Sequence, residues 1–351
     1  MEANRFVDEI NINSLRKSLK HFATPDDHIA IKQILNTFLP YIALWAILVY
    51  MVRNDYAPIL MLPLIVTASL FLVRLFIFFH DCVHGSFSSS PRANMLIGHV
   101  TGILAFTPYY YWQHAHLIHH GTYADLDHRG VGDIWTLTVE EYRALSRSKR
   151  LAYRLYRNPF IFLGLGPTFS FLIAQRWPRS KGGTVKRSSV MITNLAILAI
   201  MLMAGLTIGL RTYLLIQVPI MLIAGAIGIW LFYVQHQFEG VYWSRHENWD
   251  PVKAALLGSS YYKLPKFLQW FTGNIGLHHA HHVLPRIPNY KLQQSHDASP
   301  VLQTVKPLTL GGSLKSLRLN LWDEKQQKLV SFGALKEQRY TEPPTMPPRE
   351  P

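Results

Sequence analysis

The chain has 351 residues, of which 49% are hydrophobic and 16% are charged, whereas charged residues make up about 25% of an ordinary soluble domain. Its apolar residues are concentrated in runs of about 20, the length that crosses a bilayer, so the composition argues against a soluble protein and predicts an integral membrane protein. The net charge of +14 predicts contact with anionic lipid headgroups or an acidic protein, with nucleic acid the weakest candidate, and the single cysteine excludes a disulfide framework and a cysteine-held metal cluster.

Four apolar runs in two pairs predict four membrane-spanning helices. After a polar amino-terminal segment without a signal-peptide core, residues 37–52 and 57–79 form one pair and residues 190–208 and 213–234 the other. Each pair is expected to fold as a helical hairpin. The expected division of the chain is a cytoplasmic amino-terminal segment at 1–35, transmembrane hairpin 1 at 36–79, a cytoplasmic cap region at 80–188, transmembrane hairpin 2 at 189–235, a second cap region at 236–340, and a disordered, proline-rich tail at 341–351.

The distribution of Lys and Arg predicts the orientation. With the amino terminus inside, the two outer turns carry only Arg53 and Arg211, and Arg74 lies within the second apolar run. All the other basic residues then face the cytoplasm, which satisfies the positive-inside rule. We therefore expect a multi-pass protein of the cell (plasma) membrane with both termini cytoplasmic. Arg74 is expected to extend its guanidinium to the inner surface.

Two further apolar stretches are too broken to be predicted as spans. Residues 95–112 contain Gly98, Gly102 and Pro108, and residues 159–175 contain Gly164, Gly166 and Pro167. Both are expected to lie at the interface or to be re-entrant. The basic residues 140–157 and 176–187 are expected at the inner headgroup layer.

Ten of the 17 histidines lie in three short windows. The first window reads H-x-x-x-H and the other two H-x-x-H-H, and residues three and four apart share a helix face. Because imidazole is the commonest metal-binding side chain, each window is expected to present neighbouring ligands to a common point. The ligand candidates are His80 and His84, then His116, His119 and His120, and then His278, His281 and His282. His114 and His279 fall on other faces and are expected not to be ligands.

The positions of these windows predict one shared site. The first window follows the second apolar run and the third follows the fourth run, so an even number of spans separates them. The second window lies on the same side as the other two only if residues 95–112 do not cross the membrane. His236 comes just after the fourth run, at the same membrane depth, and is the ninth ligand candidate. Its alternative role is to donate a hydrogen bond to one of the ligands.

Nine imidazoles exceed the need of one metal ion and predict a dinuclear site. The alternatives are a closed zinc site, or histidines paired with acidic residues at an inner interface. Imidazole ligands alone do not select among zinc, copper, nickel and iron.

The histidine windows resemble the three histidine boxes of the membrane-bound fatty acid desaturases. They read His-Asp-Cys-Val-His-Gly-Ser-Phe from residue 80, His-Leu-Ile-His-His from residue 116, and Gly-Asn-Ile-Gly-Leu-His-His-Ala-His-His from residue 273. The third continues Val-Leu-Pro-Arg-Ile-Pro-Asn-Tyr-Lys-Leu, which is typical of the acyl-lipid branch. The similarity extends over nearly the whole chain and is greatest to the cold-responsive delta-5 acyl-lipid desaturases of Bacillus-type bacteria.

This resemblance implies an all-α integral membrane fold, with four transmembrane helices in two hairpins and a cytoplasmic cap. It implies two non-haem iron ions that use O2 and two supplied electrons to introduce a cis double bond into phospholipid acyl chains. By resemblance the bond lies at delta-5 and adjusts membrane fluidity in the cold. The family's ligands transfer to His80, His84, His116, His119, His120, His278, His281 and His282, with His236 as the ninth.

The electrons are expected from a partner, because the sequence has neither a dinucleotide fingerprint nor a fused haem-binding segment. Ferredoxin or flavodoxin is the expected donor, steered by a basic surface. Contact of that surface with anionic headgroups is an equal alternative. The basic cluster comprises Arg143, Arg147, Lys149, Arg150 and Arg154.

Ligating histidines need their outer nitrogens held by a hydrogen-bond partner. Candidates near the boxes are Asp81, Asp125, Asp127, Asp133 and Glu239. For each one, a solvated loop carboxylate or a helix cap is the alternative.

Other functions are compatible with the same boxes. A desaturase of delta-9 or delta-12 regiospecificity, or a related lipid hydroxylase or ketolase, needs the same site, since the outcome depends on how the second C–H bond is placed. A histidine-rich metal transporter is disfavoured, because its ligands would lie near the bilayer midplane.

Overall fold

Four long apolar helices form the body of the protein. The structure, a computed structural model, describes residue 7, residues 9–177 and residues 183–335. The four helices are Asp27–Arg53, Pro58–Val83, Thr184–Thr207 and Leu210–His236. At about 1.5 Å per residue each is long enough to cross a bilayer core of about 30 Å. The four predicted spans are confirmed, and the tail at 341–351 lies outside the described residues.

The first spanning helix begins well before its apolar run. The Asp26 carboxylate accepts the backbone N–H of Ile29 at 3.1 Å and caps the helix, so the polar residues from Asp27 onward continue it. The second helix begins at Pro58, a favoured first helical position. Gly209, at φ +88°, makes the turn between the third and fourth helices. A side chain there would be strained.

The core lies where the fourth spanning helix packs against the first two. Leu48, Leu75, Phe78, Ile216 and Ile220 are fully buried there. The outer faces of the spanning helices carry exposed apolar side chains, as expected for contact with lipid. This packing brings the end of the second spanning helix beside the end of the fourth.

Shorter helices form a cap around those two ends. The stretch at 95–112 divides between helices Pro91–Leu104 and Tyr109–Thr122, of 14 residues each. A helix of that length covers only about 21 Å, so neither spans, and Pro108 explains the break. The other cap helices are Ile12–Leu19, Val139–Ala144, Arg147–Tyr156, Pro251–Leu257, Lys266–Phe271, His278–Val283, Asn289–Asp297, Pro300–Gln303 and Leu310–Ser313.

The stretch at 159–175 is an irregular helix. Two π-helical turns, Ile161–Leu165 and Phe169–Ile173, flank the short α-helix Gly166–Thr168. Phe160 and Trp177 at its two ends are strongly exposed. These features suit a segment lying at the membrane interface.

Two small sheets, absent from the sequence-based prediction, tie distant parts of the cap together. Strand β1 (Leu137–Thr138) pairs in parallel with β4 (Leu321–Asp323), which pairs antiparallel with β5 (Lys328–Val330). Strand β2 (Tyr261–Lys263) pairs in parallel with β3 (Pro307–Thr309). In the first sheet Leu321 lies opposite both Leu137 and Val330, so the carboxyl-terminal part of the chain closes the cap.

Arg74 lies inside the protein, so the prediction that it extends to the inner surface is wrong. Its Nε donates to Thr37 Oγ1 at 3.1 Å, and Nη1 donates to the carbonyl of Trp270. The guanidinium also lies 3.9 Å from the centre of the Trp270 ring. The cap helix Lys266–Phe271 covers this face, so protein groups replace water around the charge.

Candidate metal centre

Helix ends and short cap helices position the nine candidate histidines. His80 lies in the last turn of the second spanning helix and His84 is its C-cap, while His236 ends the fourth spanning helix. The second histidine window lies on helix Tyr109–Thr122 and the third on helix His278–Val283.

The structure brings all nine histidines together, in two groups. The first group comprises His80, His84, His116, His120 and His281, and the second comprises His119, His236, His278 and His282. Within each group, one nitrogen from every ring lies within 4.8 Å of the others. His114 and His279 belong to neither group: His114 is exposed, and Nε2 of His279 lies 3.2 Å from Nδ1 of His296.

This sorting corrects the prediction that each window serves one point. Histidines four residues apart stay together, as His116 and His120 do, whereas His119 joins the other group. The third window divides in the same way. Because a helix turns about 100° per residue, each of these two helices presents ligands to both groups.

The spacing of the ring nitrogens fits metal binding. In the first group the Nε2 atoms are 2.9 Å apart for His84 and His116, 3.1 Å for His116 and His120, and 3.0 Å for His120 and His281. Two nitrogens each about 2.1 Å from one metal ion are about 3.0 Å apart when they subtend a right angle, and about 3.4 Å at a tetrahedral angle. In each of these pairs the two nitrogens are close enough to be ligands of one metal ion.

The second group has the same spacing. Its Nε2 separations are 3.1 Å for His119 and His236, 3.0 Å for His236 and His278, and 2.9 Å for His278 and His282. The Nε2 atom of His236 lies near two other Nε2 atoms. It carries at most one hydrogen, so it cannot donate a hydrogen bond to both of them. Both groups are therefore able to hold a metal ion.

Three of the rings are held from behind through Nδ1. His119 Nδ1 lies 2.6 Å from Asp133 Oδ1, and His80 Nδ1 lies 3.2 Å from Asp81 Oδ1. His236 Nδ1 lies 3.0 Å from the carbonyl of Gly258. These bonds direct Nε2 toward the site, which is how outer partners orient metal ligands.

The other three candidate carboxylates have different partners. Asp125 contacts two further histidines, and Asp127 accepts from Arg245 at 2.7 Å. Glu239 is exposed, 3.7 Å from Lys315.

Several residues that support the site were missed by the sequence analysis. Asn289 donates through its backbone N–H and its Nδ2 to Asp81 Oδ2, at 2.7 and 2.9 Å. It belongs to the Pro-Asn-Tyr sequence after the third box, so a signal for it was present. The Trp112 ring stacks on His116 at 4.2 Å, and the Tyr123 ring lies 4.0 Å from His282; spacing carries no signal for these contacts.

Burial keeps the cap histidines neutral. Burial is the main cause: it lowers the pKa of each cap histidine well below the usual value. The charge of neighbouring imidazoles lowers the pKa further. The affected groups are His84, His116, His120, His278, His281 and His282. Neutral imidazole is the form that binds metals, so the site is prepared to take up ions at neutral pH.

The fold and the site together define a multi-pass membrane protein with two adjacent histidine groups that can hold metal ions. The family profile described as "Fatty acid desaturase" matches residues 56–306. The chain is 49% identical over 336 residues to "Fatty acid desaturase" of Bacillus subtilis, covering 96% of this chain and 95% of that protein. It is 25% identical over 242 residues to the "sn-1 acyl-lipid omega-3 desaturase (ferredoxin)" of Synechocystis sp., covering 65% and 64%. It is 27% identical over 247 residues to the "Omega-3 fatty acid desaturase, endoplasmic reticulum" of Vigna radiata, covering 63% and 60%.

The chain belongs to the fatty acid desaturase family. It is an oxidoreductase that acts on fatty acids with O2, as the resemblance of its histidine boxes to this family implied. Its four apolar helices fit the multi-pass membrane architecture expected from the sequence.

Proposed function

We propose that this protein is an acyl-lipid desaturase that uses a di-iron centre, held by the nine histidines, to introduce a cis double bond at the delta-5 position of phospholipid acyl chains. The observation that carries the proposal is the convergence of nine buried or half-buried imidazoles into two adjacent groups. Eight of these rings have a neighbouring Nε2 atom 2.9 to 3.1 Å away. Iron supplies the oxidising chemistry that side chains lack, and zinc has no redox chemistry.

One turnover consumes O2, two electrons and two protons. The acyl chain gives up two hydrogens and gains the double bond, and two water molecules are formed. The chain's own residues bind, orient and shield. The nine Nε2 atoms are the proposed ligands, and the Asp81, Asp133 and Gly258 oxygens hold three of the rings.

An aromatic cluster shields the first histidine group on its membrane side. The Trp112 ring lies 5.5 Å from Phe76 and 5.1 Å from Phe79, both on the second spanning helix, and it stacks on His116. Apolar rings at this place exclude water and give an acyl chain a compatible surface.

We propose that the protein lies in the plasma membrane with its cap and both termini in the cytoplasm. The chain is then divided into the spanning hairpins and cap regions that the sequence analysis predicts. The support is the distribution of charge. Arg53 and Arg211 lie at the turns on the far side from the histidines, and the basic cap helix Arg147–Tyr156 lies on the histidine side of the spans.

The delta-5 position and the role in the cold rest on the sequence resemblance. The test is mass spectrometry of lipid acyl chains, with double-bond localisation, from a desaturase-free bacterial host that expresses this chain and grows cool. Delta-5 monounsaturated chains support the proposal. Bonds at delta-9 or delta-12 would correct the position, and hydroxylated chains would replace desaturation by hydroxylation. A His281→Ala variant in the same host is the matched control.

The proposed electron donor is ferredoxin or flavodoxin. The name of the Synechocystis relative includes ferredoxin, and Arg147, Lys149 and Arg154 are exposed on one cap helix of this chain. An acidic donor would be steered to such a surface.

Charge reversal tests this docking surface. An Arg147→Glu, Lys149→Glu variant is expected to lower kcat/KM for ferredoxin about 10-fold or more at low salt, with the deficit shrinking as salt rises. Lys315→Glu, also on an exposed lysine, is the control. An equal loss with a small chemical reductant would assign the cluster to lipid headgroups instead.

A further inference from the structure

A third cluster of metal-binding side chains lies outside the nine-histidine site. Oδ2 of Asp125 is 2.8 Å from Nδ1 of His128 and 2.7 Å from Nδ1 of His246. One ligand atom from each of the three residues lies within 4.8 Å of the others. We propose that Asp125, His128 and His246 form a surface site for a divalent transition-metal ion of the Zn²⁺ type, separate from the desaturation centre.

Hydrogen bonds to the backbone hold the Asp125 carboxylate and the backbone of His246 in place. Asp125 is buried, and its other oxygen, Oδ1, accepts the N–H of Asp127 at 2.9 Å. Asp127 Oδ2 in turn accepts the N–H of His246 at 2.9 Å. The carboxylate therefore keeps one oxygen directed at the two imidazoles, and little ordering is left to occur when an ion binds.

The donor set and its exposure suit Zn²⁺. Two imidazoles and one carboxylate, with water in the remaining position, is a common zinc ligand set. The three ligand atoms lie within 4.8 Å of one another, so small rotations of the two imidazoles are enough to place them about 3.4 Å apart around one tetrahedral ion. The side chains of His128 and His246 are 50% and 63% exposed, so an ion can enter from water and keep water ligands.

Binding exchanges hydrogen bonds for metal bonds without net loss of a proton. In the free protein each Nδ1–H donates to the shared carboxylate oxygen. When Zn²⁺ binds, the proton of each neutral imidazole moves from Nδ1 to the exposed Nε2, and the two Nδ1 lone pairs and the carboxylate face the ion.

The site would clamp two loops that are distant in sequence. One loop follows helix Tyr109–Thr122 and leads to Asp133, the partner of His119. The other follows the fourth spanning helix. Backbone bonds already join them, from Leu126 N–H to the Ser244 carbonyl at 2.8 Å and from Ser244 N–H to the Ala124 carbonyl at 3.0 Å. An ion across these loops is expected to stabilise the folded protein in proportion to its occupancy.

The test uses the full-length, iron-loaded protein equilibrated with micromolar Zn²⁺ and analysed for bound metal. We expect one zinc ion per chain beyond the iron, and a higher Tm with zinc. The His128→Ala, His246→Ala double variant is expected to lose both effects and to keep its iron. A His28→Ala, His114→Ala variant, which removes two exposed histidines elsewhere, is expected to keep both.

Equal zinc content in the wild type and the double variant, or no zinc beyond the iron in the wild type, would overturn the proposal and leave a hydrogen-bonded triad only. If the double variant fails to hold iron, the single variant His246→Ala decides, since this ring is 63% exposed and lies outside the helices that carry the nine histidines. That variant must lose the zinc-dependent rise in Tm.

Discussion

The Asp133 carboxylate gives the sharpest test of how the proposed iron ligands are supported. Its Oδ1 lies 2.6 Å from His119 Nδ1, and both side chains are buried. Replacing Asp133 with Ala leaves the His119 ring free to turn and its Nδ1–H without its acceptor. Loss of such an outer partner lowers metal affinity about 10- to 100-fold, which corresponds to about 1.4 to 2.8 kcal/mol.

The assay is iron content after equilibration with a graded series of chelator concentrations. For Asp133→Ala, half of the iron is expected to leave at a chelator concentration about 10- to 100-fold lower than for the wild type. Asp133→Asn, which keeps an acceptor oxygen but loses the charge, is expected to lie between the two. Asp127→Ala is the matched control, because that carboxylate is near in sequence but contacts the exposed Arg245.

An Asp133→Ala protein that keeps its iron at wild-type chelator concentrations would refute the reasoning that His119 is a ligand held from behind. So would an equal loss in Asp127→Ala, because the effect would then belong to the loop as a whole.

Three further predictions concern the site and its scaffold. His281→Ala is expected to insert into the membrane but to be inactive and iron-poor, because His281 completes the first group; activity equal to that of the exposed control His114→Ala would contradict this. Gly98→Ala is expected to lower stability by about 1–3 kcal/mol, because a Cβ would overlap the neighbouring Tyr109 ring. Gly228→Ala places its Cβ in open space and is expected to be neutral or stabilising. Thermal unfolding in detergent measures both, and a lower Tm for Gly228→Ala than for Gly98→Ala would contradict this. Arg74→Met is expected to lower Tm, because it removes the charged hydrogen bonds to Thr37 and to the Trp270 carbonyl, at about 1–3 kcal/mol. Arg74→Lys is not expected to restore it, because an ammonium group lacks the planar surface that stacks on the Trp270 ring; full recovery with Lys would contradict that role.

The spans and the histidine candidates were predictable because their signals are local. A run of about 20 apolar residues meets a simple length requirement, and spacings of three and four residues report a shared helix face. The division of His119 from His120 was not predictable. Neighbouring residues differ by about 100° in direction, and which one faces which group depends on how two separate helices pack.

Features that form between segments far apart in the chain could not be predicted from the sequence either. Strands of two or three residues, such as β1 and β4, are too short to show a period, and their pairing joins residues 137 and 321. The burial of Arg74 depends on a cap helix whose Trp270 lies 196 residues later in the chain. The partners of Asp125 likewise come from two loops.

The sharing of helix His278–Val283 between the two histidine groups has a consequence for biosynthesis. Its residues serve both groups, and it lies late in the chain, after the second hairpin. Neither group is complete until the ribosome has made the third box and both hairpins have been inserted side by side. A nascent or truncated chain that ends before residue 278 lacks a finished site, so stable iron uptake would mark the moment at which the whole molecule has assembled.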